Sequence, residues 1–422
     1  MSPRLRAPGA LAALALACAA PSGAQPADPL ADVAELTPSL LTQLVVARSS
    51  ALAAAQADAD GVAAGTAMAG AWMDPMLTLE LAPASPFVAG VPFGAAVRAS
   101  QKLPIAGRPA LEAEAATHEA RAMRLESGEL RLRLREVALA LYAELHATTR
   151  ALEVNDAHAR LLADLKAAAE ARYAAGAAQQ AEALEAELML GELAADRVEL
   201  EARHRAAVAR LNGLLQRSPT LPLPPLPPTP ELPAAPLPPP GVDVAQAAER
   251  RPELAALAAR TEAARARLML AERGWVPDLE VMVSYSSMWM EPAHRFMVGV
   301  GVELPLQQAG RRGRVAEAQA MAQRARHREE AARHELATEL AVMRAELDEA
   351  TRREVVLRER IIPTARTRLD SLRTAWVTGR AEFEAILSAE RALRSAELQH
   401  HHAQADALRR RAAVDRLLGV SP

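Results

Sequence analysis

The 422-residue sequence holds a single cysteine, Cys18. That excludes an intramolecular disulfide framework and any zinc or iron–sulfur site built on several thiolates. Aromatic residues supply only 3% of the chain although half of it is hydrophobic, so a large core stacked on rings is excluded too. Alanine makes up much of the apolar fraction, and small side chains suit close helix packing. An excess of one charge is also missing: 49 Lys and Arg against 52 Asp and Glu leave a net charge of −3. Such a balance provides no global basic field, and no nucleic-acid partner is expected. Signatures of catalysis are missing as well, with no phosphate loop, no His-Glu-x-x-His and no Gly-x-Ser-x-Gly. Neither an enzyme nor a cofactor is therefore expected. After the first two dozen residues, no run approaches the roughly 18 to 20 apolar residues that a membrane helix needs.

The one long apolar run stands at the start. Arg4 and Arg6 precede Ala10 through Ala20, followed by the small residues Ser22-Gly23-Ala24. This order reads as a cleaved secretory signal over residues 1–24. Cys18 leaves a second reading open, because Leu16-Ala17-Cys18 resembles a lipoprotein cleavage site with its leucine one place out of position.

A break follows much later: between Pro219 and Pro240, 12 of 22 residues are proline. Such a stretch forbids helix interiors and favours an extended strap. It separates a first unit, residues 25–218, from a second, residues 241–422, with 219–240 as linker. The units align at an offset of about 202 residues. Trp72 and Pro75 answer to Trp275 and Pro277, Leu103-Pro104 to Leu304-Pro305, and Gly107-Arg108 to Gly310-Arg311. Tyr173 and Gly176 match Trp376 and Gly379, and Leu184 and Glu187 match Leu387 and Glu390.

Each unit reads helix, two strands, long helix, short turn, helix. The opening helices are expected over Pro38–Gly70 and Val242–Gly274, each ending at glycine. The period then changes from 3.6 to 2. Strands are expected at about 76–82, 95–103, 279–286 and 296–304. Leu77, Leu79 and Leu81, and Val281, Val283 and Tyr285, alternate with polar or small neighbours. A half-buried sheet would alternate in the same way. Strands of this length, however, lie between long helices that offer no broad apolar face to cover them, and tilted strands of 9–11 residues cross a bilayer. Four strands are too few to close a barrel, and open edges are not tolerated in lipid, so closure calls for several chains; three would give twelve strands. From Ile105 to Arg172 nearly 70 residues read as helix, on the order of 100 Å. Leucines seven apart, such as Leu125, Leu132 and Leu139, mark coiled-coil-like seams. An exported coiled-coil structural or adaptor protein without a channel would share these seams, and it remains the alternative.

The duplicated order of elements, Trp-x-Pro-Asp at 275–278, Leu-Pro and Gly-Arg at 304–311, Arg-Pro-Glu-Leu at 251–254 and Arg-Tyr-x-x-Gly at 172–176 resemble the TolC-like outer membrane factor family of bacterial efflux systems. The resemblance covers essentially the whole mature chain. It implies a mainly α fold with a small transmembrane β-barrel contribution: a homotrimer whose twelve-stranded barrel lies in outer-membrane lipid and continues into a periplasmic α-helical barrel. It also implies two protein partners, a periplasmic membrane-fusion protein and an inner-membrane efflux pump of the resistance-nodulation-division type. On this resemblance Arg172, Tyr173, Gly176, Arg373, Trp376 and Gly379 are expected at the docking tips, and Glu182, Glu185, Glu382 and Glu384 at the pore mouth. Met282, Met288, Met290 and His294 cluster around the second strand hairpin and resemble the heavy-metal efflux subgroup, since thioethers and imidazoles suit soft metals. His400-His401-His402 point about 100° apart on a helix and do not converge on one ion; His400 falls in series with Ile386, Leu393, Ala407 and Val414, which points to packing.

Overall fold

The computed structural model describes residues 28–83, 93–229, 237–239, 242–304 and 306–420. The leader over 1–24, Cys18 within it and part of the proline strap lie outside the described residues. The first unit consists of α1 (Pro38–Arg48), α2 (Ser50–Ala69), β1 (Met76–Ala82), β2 (Gly94–Leu103), α3 (Arg108–Ala174) and α4 (Gln180–Leu214). The second consists of α5 (Val242–Arg250), α6 (Pro252–Arg273), β3 (Leu279–Ser286), β4 (Phe296–Val302), α7 (Gln308–Val356), α8 (Ile362–Val377) and α9 (Phe383–Leu417).

Both opening helices differ from the uninterrupted ones expected. The first breaks at Ser49, whose backbone is extended and whose hydroxyl accepts the Leu52 N–H, an N-cap that starts a new helix. The second breaks at Arg251, also extended, because Pro252 bars its predecessor from the helical region. A five-residue π turn, Leu357–Ile361, joins α7 to α8. Pro363 has no N–H to give the preceding turn, and the ladder widens there, with Ile362 N–H reaching the Leu357 carbonyl.

Helix α3 spans 67 residues, about 100 Å, and packs along α2, α4, α6 and α9. Its apolar positions supply one side of two separate cores. Around mid-length Leu36, Leu41, Tyr142, Leu145 and Leu211 bury together; toward the far end Leu162, Leu165, Met189, Leu193, Ile386 and Leu387 do so. Two side chains of the bundle and one backbone N–H ahead of α1 tie the strap to the first of these cores. Asn212 donates to the Pro219 and Leu221 carbonyls, Arg150 to those of Leu226 and Pro227, and the Leu36 N–H to that of Pro225. A proline-rich segment offers carbonyls without N–H groups, so donors must come from elsewhere.

The strands form one antiparallel sheet in the order β1-β2-β3-β4. The two units meet at its centre, where Leu103 faces Leu279, Gln101 faces Val281 and Val97 faces Tyr285. Among the described residues, β1 and β4 each pair on one side only.

Candidate functional site

One face of the sheet is built from alternate residues of all four strands. Leu77, Ala99, Val283 and Val298 form one row across it, and Leu79, Val97, Tyr285 and Phe296 the next. Leu77 is 72% exposed and Val300 67%. A contiguous apolar patch of this kind marks a contact surface, lipid included. The opposite face carries Thr78, Arg98, Ser284 and Met297 in one row and Lys102, Glu280 and Gly301 in another. Apolar outward and polar inward is the arrangement of a membrane barrel wall.

The metal-ligand candidates occupy separate places around this hairpin. Met282 packs over Gly299 and Met288 over Gly94, Met290 is exposed, and His294 stands edge-on to Trp289 at 6.4 Å. Among the described residues no group of His, Cys, Asp or Glu is placed to hold a metal ion.

Where the strands pass into the helices, two motif residues from different units meet. Arg108 of the first Gly-Arg pair donates to Asp278 of Trp-x-Pro-Asp at 2.9 Å. Arg311, its counterpart in the second unit, donates through Nε to the Gly274 carbonyl at 2.8 Å. These residues border a cavity of about 1090 Å³ at the passage from strands to helices, between α3, α6 and α7. Seven arginines and Lys102 line it against five carboxylates. Arg260 and Arg267 both reach Glu119, whereas Arg314, Arg324 and Arg328 follow one face of α7.

At the other end, α3 and α8 finish in the same way. Gly176 (φ 72°) and Gly379 (φ 71°) are left-handed. The N–H of Gly176 bonds the Tyr173 carbonyl and that of Ala177 the Arg172 carbonyl, and Gly379 and Arg380 repeat the pattern on Trp376 and Ala375. This is the Schellman termination, for which glycine is suited because it has no Cβ to clash. The two turns also touch each other. The Arg172 guanidinium lies 4.4 Å from the Trp376 ring centre and donates to the Trp376 carbonyl at 2.9 Å. Trp376 is 3% exposed, packs on Phe383, and gives its indole N–H to Glu182 at 3.2 Å. Arg172, Trp376 and Glu182 thus form one contact between units, and Trp376 is part of the tip interior. Tyr173, Glu185, Glu382 and Glu384 are exposed, and Arg373 is half-buried. Glu182 and Glu384 stand in the first turns of α4 and α9, where the helix dipole favours a carboxylate.

A further constellation was missed by sequence reasoning. His158 on α3 is buried, with Nδ1 2.7 Å from Glu390 and Nε2 3.0 Å from Glu397, both on α9; Glu397 in turn accepts from Arg366 on α8 at 2.8 Å. Burial alone would lower the imidazole pKa, but the hydrogen bonds and charges of the two glutamates lift it to about 9. The same histidine and Arg366 overcome burial to hold Glu397 below its ordinary value. The available signal was a carboxylate between Leu387 and Leu393 on an otherwise apolar stripe of α9. His400, by contrast, is only 13% exposed and lies 3.7 Å from Glu354, a packed position in its helix.

Residues 244–420 match the family model described as outer membrane efflux protein. No curated protein matches the chain by sequence. Among solved structures, the outer-membrane channel OprN is 20% identical with a TM-score of 0.78, over 91% of this chain and 90% of its own. CusC, whose crystal structures concern folding and transmembrane channel formation, is 17% identical at 0.78 over 92% and 93%. The outer membrane protein VceC of Vibrio cholerae is 19% identical at 0.77 over 90% and 95%. At these identities the likeness establishes the fold, and it extends through the first unit, which the family model leaves unmatched. The second unit thus matches the outer membrane efflux protein family model, and over about nine-tenths of its length the chain has the fold of these solved outer-membrane proteins.

Proposed function

We propose that three copies of this chain form the outer-membrane channel of a tripartite efflux system, a passive duct from the periplasm to the exterior. The observation that carries this reading is the sheet: four strands with an apolar outer face, a polar inner face and two edges unpaired among the described residues. Unpaired backbone groups in lipid cost several kcal/mol each, so the edges must be closed by further copies, and three copies supply a closable number of strands. The helices α3 and α7–α8 then continue the duct into the periplasm, and the two glycine turns form its far rim.

That rim is the docking surface for a periplasmic membrane-fusion protein, through which an inner-membrane pump of the resistance-nodulation-division type is engaged. Exposed Tyr173, Leu184, Leu188 and Val377 offer apolar contacts there, with Arg373 beside them and Gly176 and Gly379 setting the turns. Glu182, Glu185, Glu382 and Glu384 would ring the mouth, where carboxylates concentrate cations. A heavy-metal cargo draws no support from Met282, Met288, Met290 and His294, which do not converge. Mass measurement in detergent and single-channel recording in planar bilayers test the proposal. A trimer with conductance is expected; a monomer without conductance would overturn it.

A further inference from the structure

The two units of the chain already make one seam with each other, and the repeat dictates what the other seam must be. In the seam within the chain, β2 runs beside β3, and past the end of the strands Arg108 meets Asp278 at 2.9 Å. Each partner has a counterpart at the free edges: Arg311 follows β4 as Arg108 follows β2, and Asp74 precedes β1 as Asp278 precedes β3. Among the described residues nothing engages the Asp74 carboxylate, which is exposed. Arg311 uses Nε on Gly274, and its two terminal nitrogens have no partner among the described residues.

The hairpins set which residues correspond: Leu77 faces Ala99 as Val281 faces Val300. With Leu103 answering to Leu304, the first strands therefore correspond at an offset of 204, two more than at Pro75 and Pro277. Carrying the β2–β3 pairing across on this correspondence gives a register. Leu103 facing Leu279 becomes Leu304 facing Pro75; Gln101 facing Val281 becomes Val302 facing Leu77; Ala99 facing Val283 becomes Val300 facing Leu79. Every transferred pair keeps apolar residues on the apolar face, Val298 with Leu81 included, and brings Gly301 opposite Thr78 on the polar face. A slip of one residue would turn one whole edge inside out, so the agreement of faces is a check that the transfer passes.

We propose that β4 of one copy pairs antiparallel with β1 of the next in this register, and that Arg311 of the first copy clamps Asp74 of the second. The inference rests on the trimeric channel reading and deepens it, naming the contacts that close the ring. It also accounts for two of the sequence motifs at once: Gly-Arg and the aspartate before each first strand are the two halves of a clamp used both within the chain and between chains.

Cysteine pairs test the register under mild oxidation. Opposite residues on antiparallel strands bring their Cβ atoms about 4.5–5.5 Å apart, against roughly 7–8 Å for diagonal neighbours. Leu79→Cys with Val300→Cys, and Thr78→Cys with Gly301→Cys, sample both kinds of opposite pair; at least one should give disulfide-linked trimers that neither single variant gives. Linking instead through Leu77→Cys or Leu81→Cys with Val300→Cys would show a slipped register and overturn the proposal while leaving the trimer standing. A charge swap tests the clamp. Asp74→Lys and Arg311→Glu should each speed trimer dissociation in detergent by about tenfold, the scale of one charge-assisted hydrogen bond, and the double variant should regain most of the loss. Additive losses in the double variant would refute the ion pair. Failure of the unsubstituted chain to trimerise at all would instead overturn the channel reading beneath it.

Discussion

The buried imidazole between the two units should make stability fall with rising pH in a window set by one residue. His158 has its pKa lifted from 6.5 to about 9; at about 1.4 kcal/mol per unit this corresponds to roughly 3 kcal/mol in favour of the folded state. The folded protein holds a proton that the unfolded chain releases between these values. The contribution is therefore complete below about pH 6.5 and is lost as pH rises through about 9. His158→Leu alone should cost about 3–5 kcal/mol at pH 6, because Glu390, fully buried, is left without its cation. His158→Leu with Glu390→Leu removes both charges from the core and should recover most of that cost. Urea unfolding in detergent, followed by far-UV circular dichroism from pH 6 to 10, reads both effects. The wild type should lose roughly 3 kcal/mol more than the double variant across this range. Parallel profiles for the two proteins would refute the reasoning, since the proton would then not be held by His158.

Three further outcomes follow from the geometry. Val281→Arg or Val300→Arg sets a charge on the apolar face and should cost roughly 2–4 kcal/mol near the bilayer midplane; Ser284→Glu, on the polar face directly across from Arg98, should assemble normally, as heat-modifiable trimer bands in outer-membrane fractions will show. Gly176→Val or Gly379→Val forces a β-branched residue into φ near 70°, a local strain of about 1 kcal/mol or more; export assays should fail while trimer yield stays normal, and normal export by both variants would remove the tips from the mechanism. Arg324→Gln with Arg328→Gln withdraws two cations from the chamber under the sheet and should shift the bilayer reversal potential toward potassium in a salt gradient, because fixed charge sets the local counter-ion concentration. An unchanged potential would place these side chains away from the conducting path.

Local regularities were legible from the sequence because they depend on neighbours along the chain. A two-residue period in 76–82 and 279–286 follows from the pleat itself, and those residues form β1 and β3. Gly176 and Gly379 sit where a long helix must stop, and both take the left-handed conformation that such a stop uses. The duplication was likewise written in the spacing of Trp, Leu-Pro, Gly-Arg and the turn glycines. The breaks at Ser49 and Arg251 were within reach, through a capping hydroxyl and a following proline, but an apolar helical period ran across both and concealed them.

What lay beyond the sequence depends on residues far apart in the chain. No local pattern tells that the first strand of the second unit lies beside the second strand of the first, yet this pairing brings Arg108 onto Asp278 across 170 positions. The family resemblance set Trp376 at the docking tip; the fold turns its ring inward because Arg172 and Glu182 of the other unit supply a cation for its ring and an acceptor for its N–H. His158 could not be told from a surface histidine until α9 was laid against α3 and delivered two glutamates to its two nitrogens. The methionines, neighbours in sequence, were separated by the sheet, which sends Met282 to Gly299, Met288 to Gly94 and Met290 into the open. Burial and pairing are properties of surfaces brought together, and only the tertiary structure decides which surfaces those are.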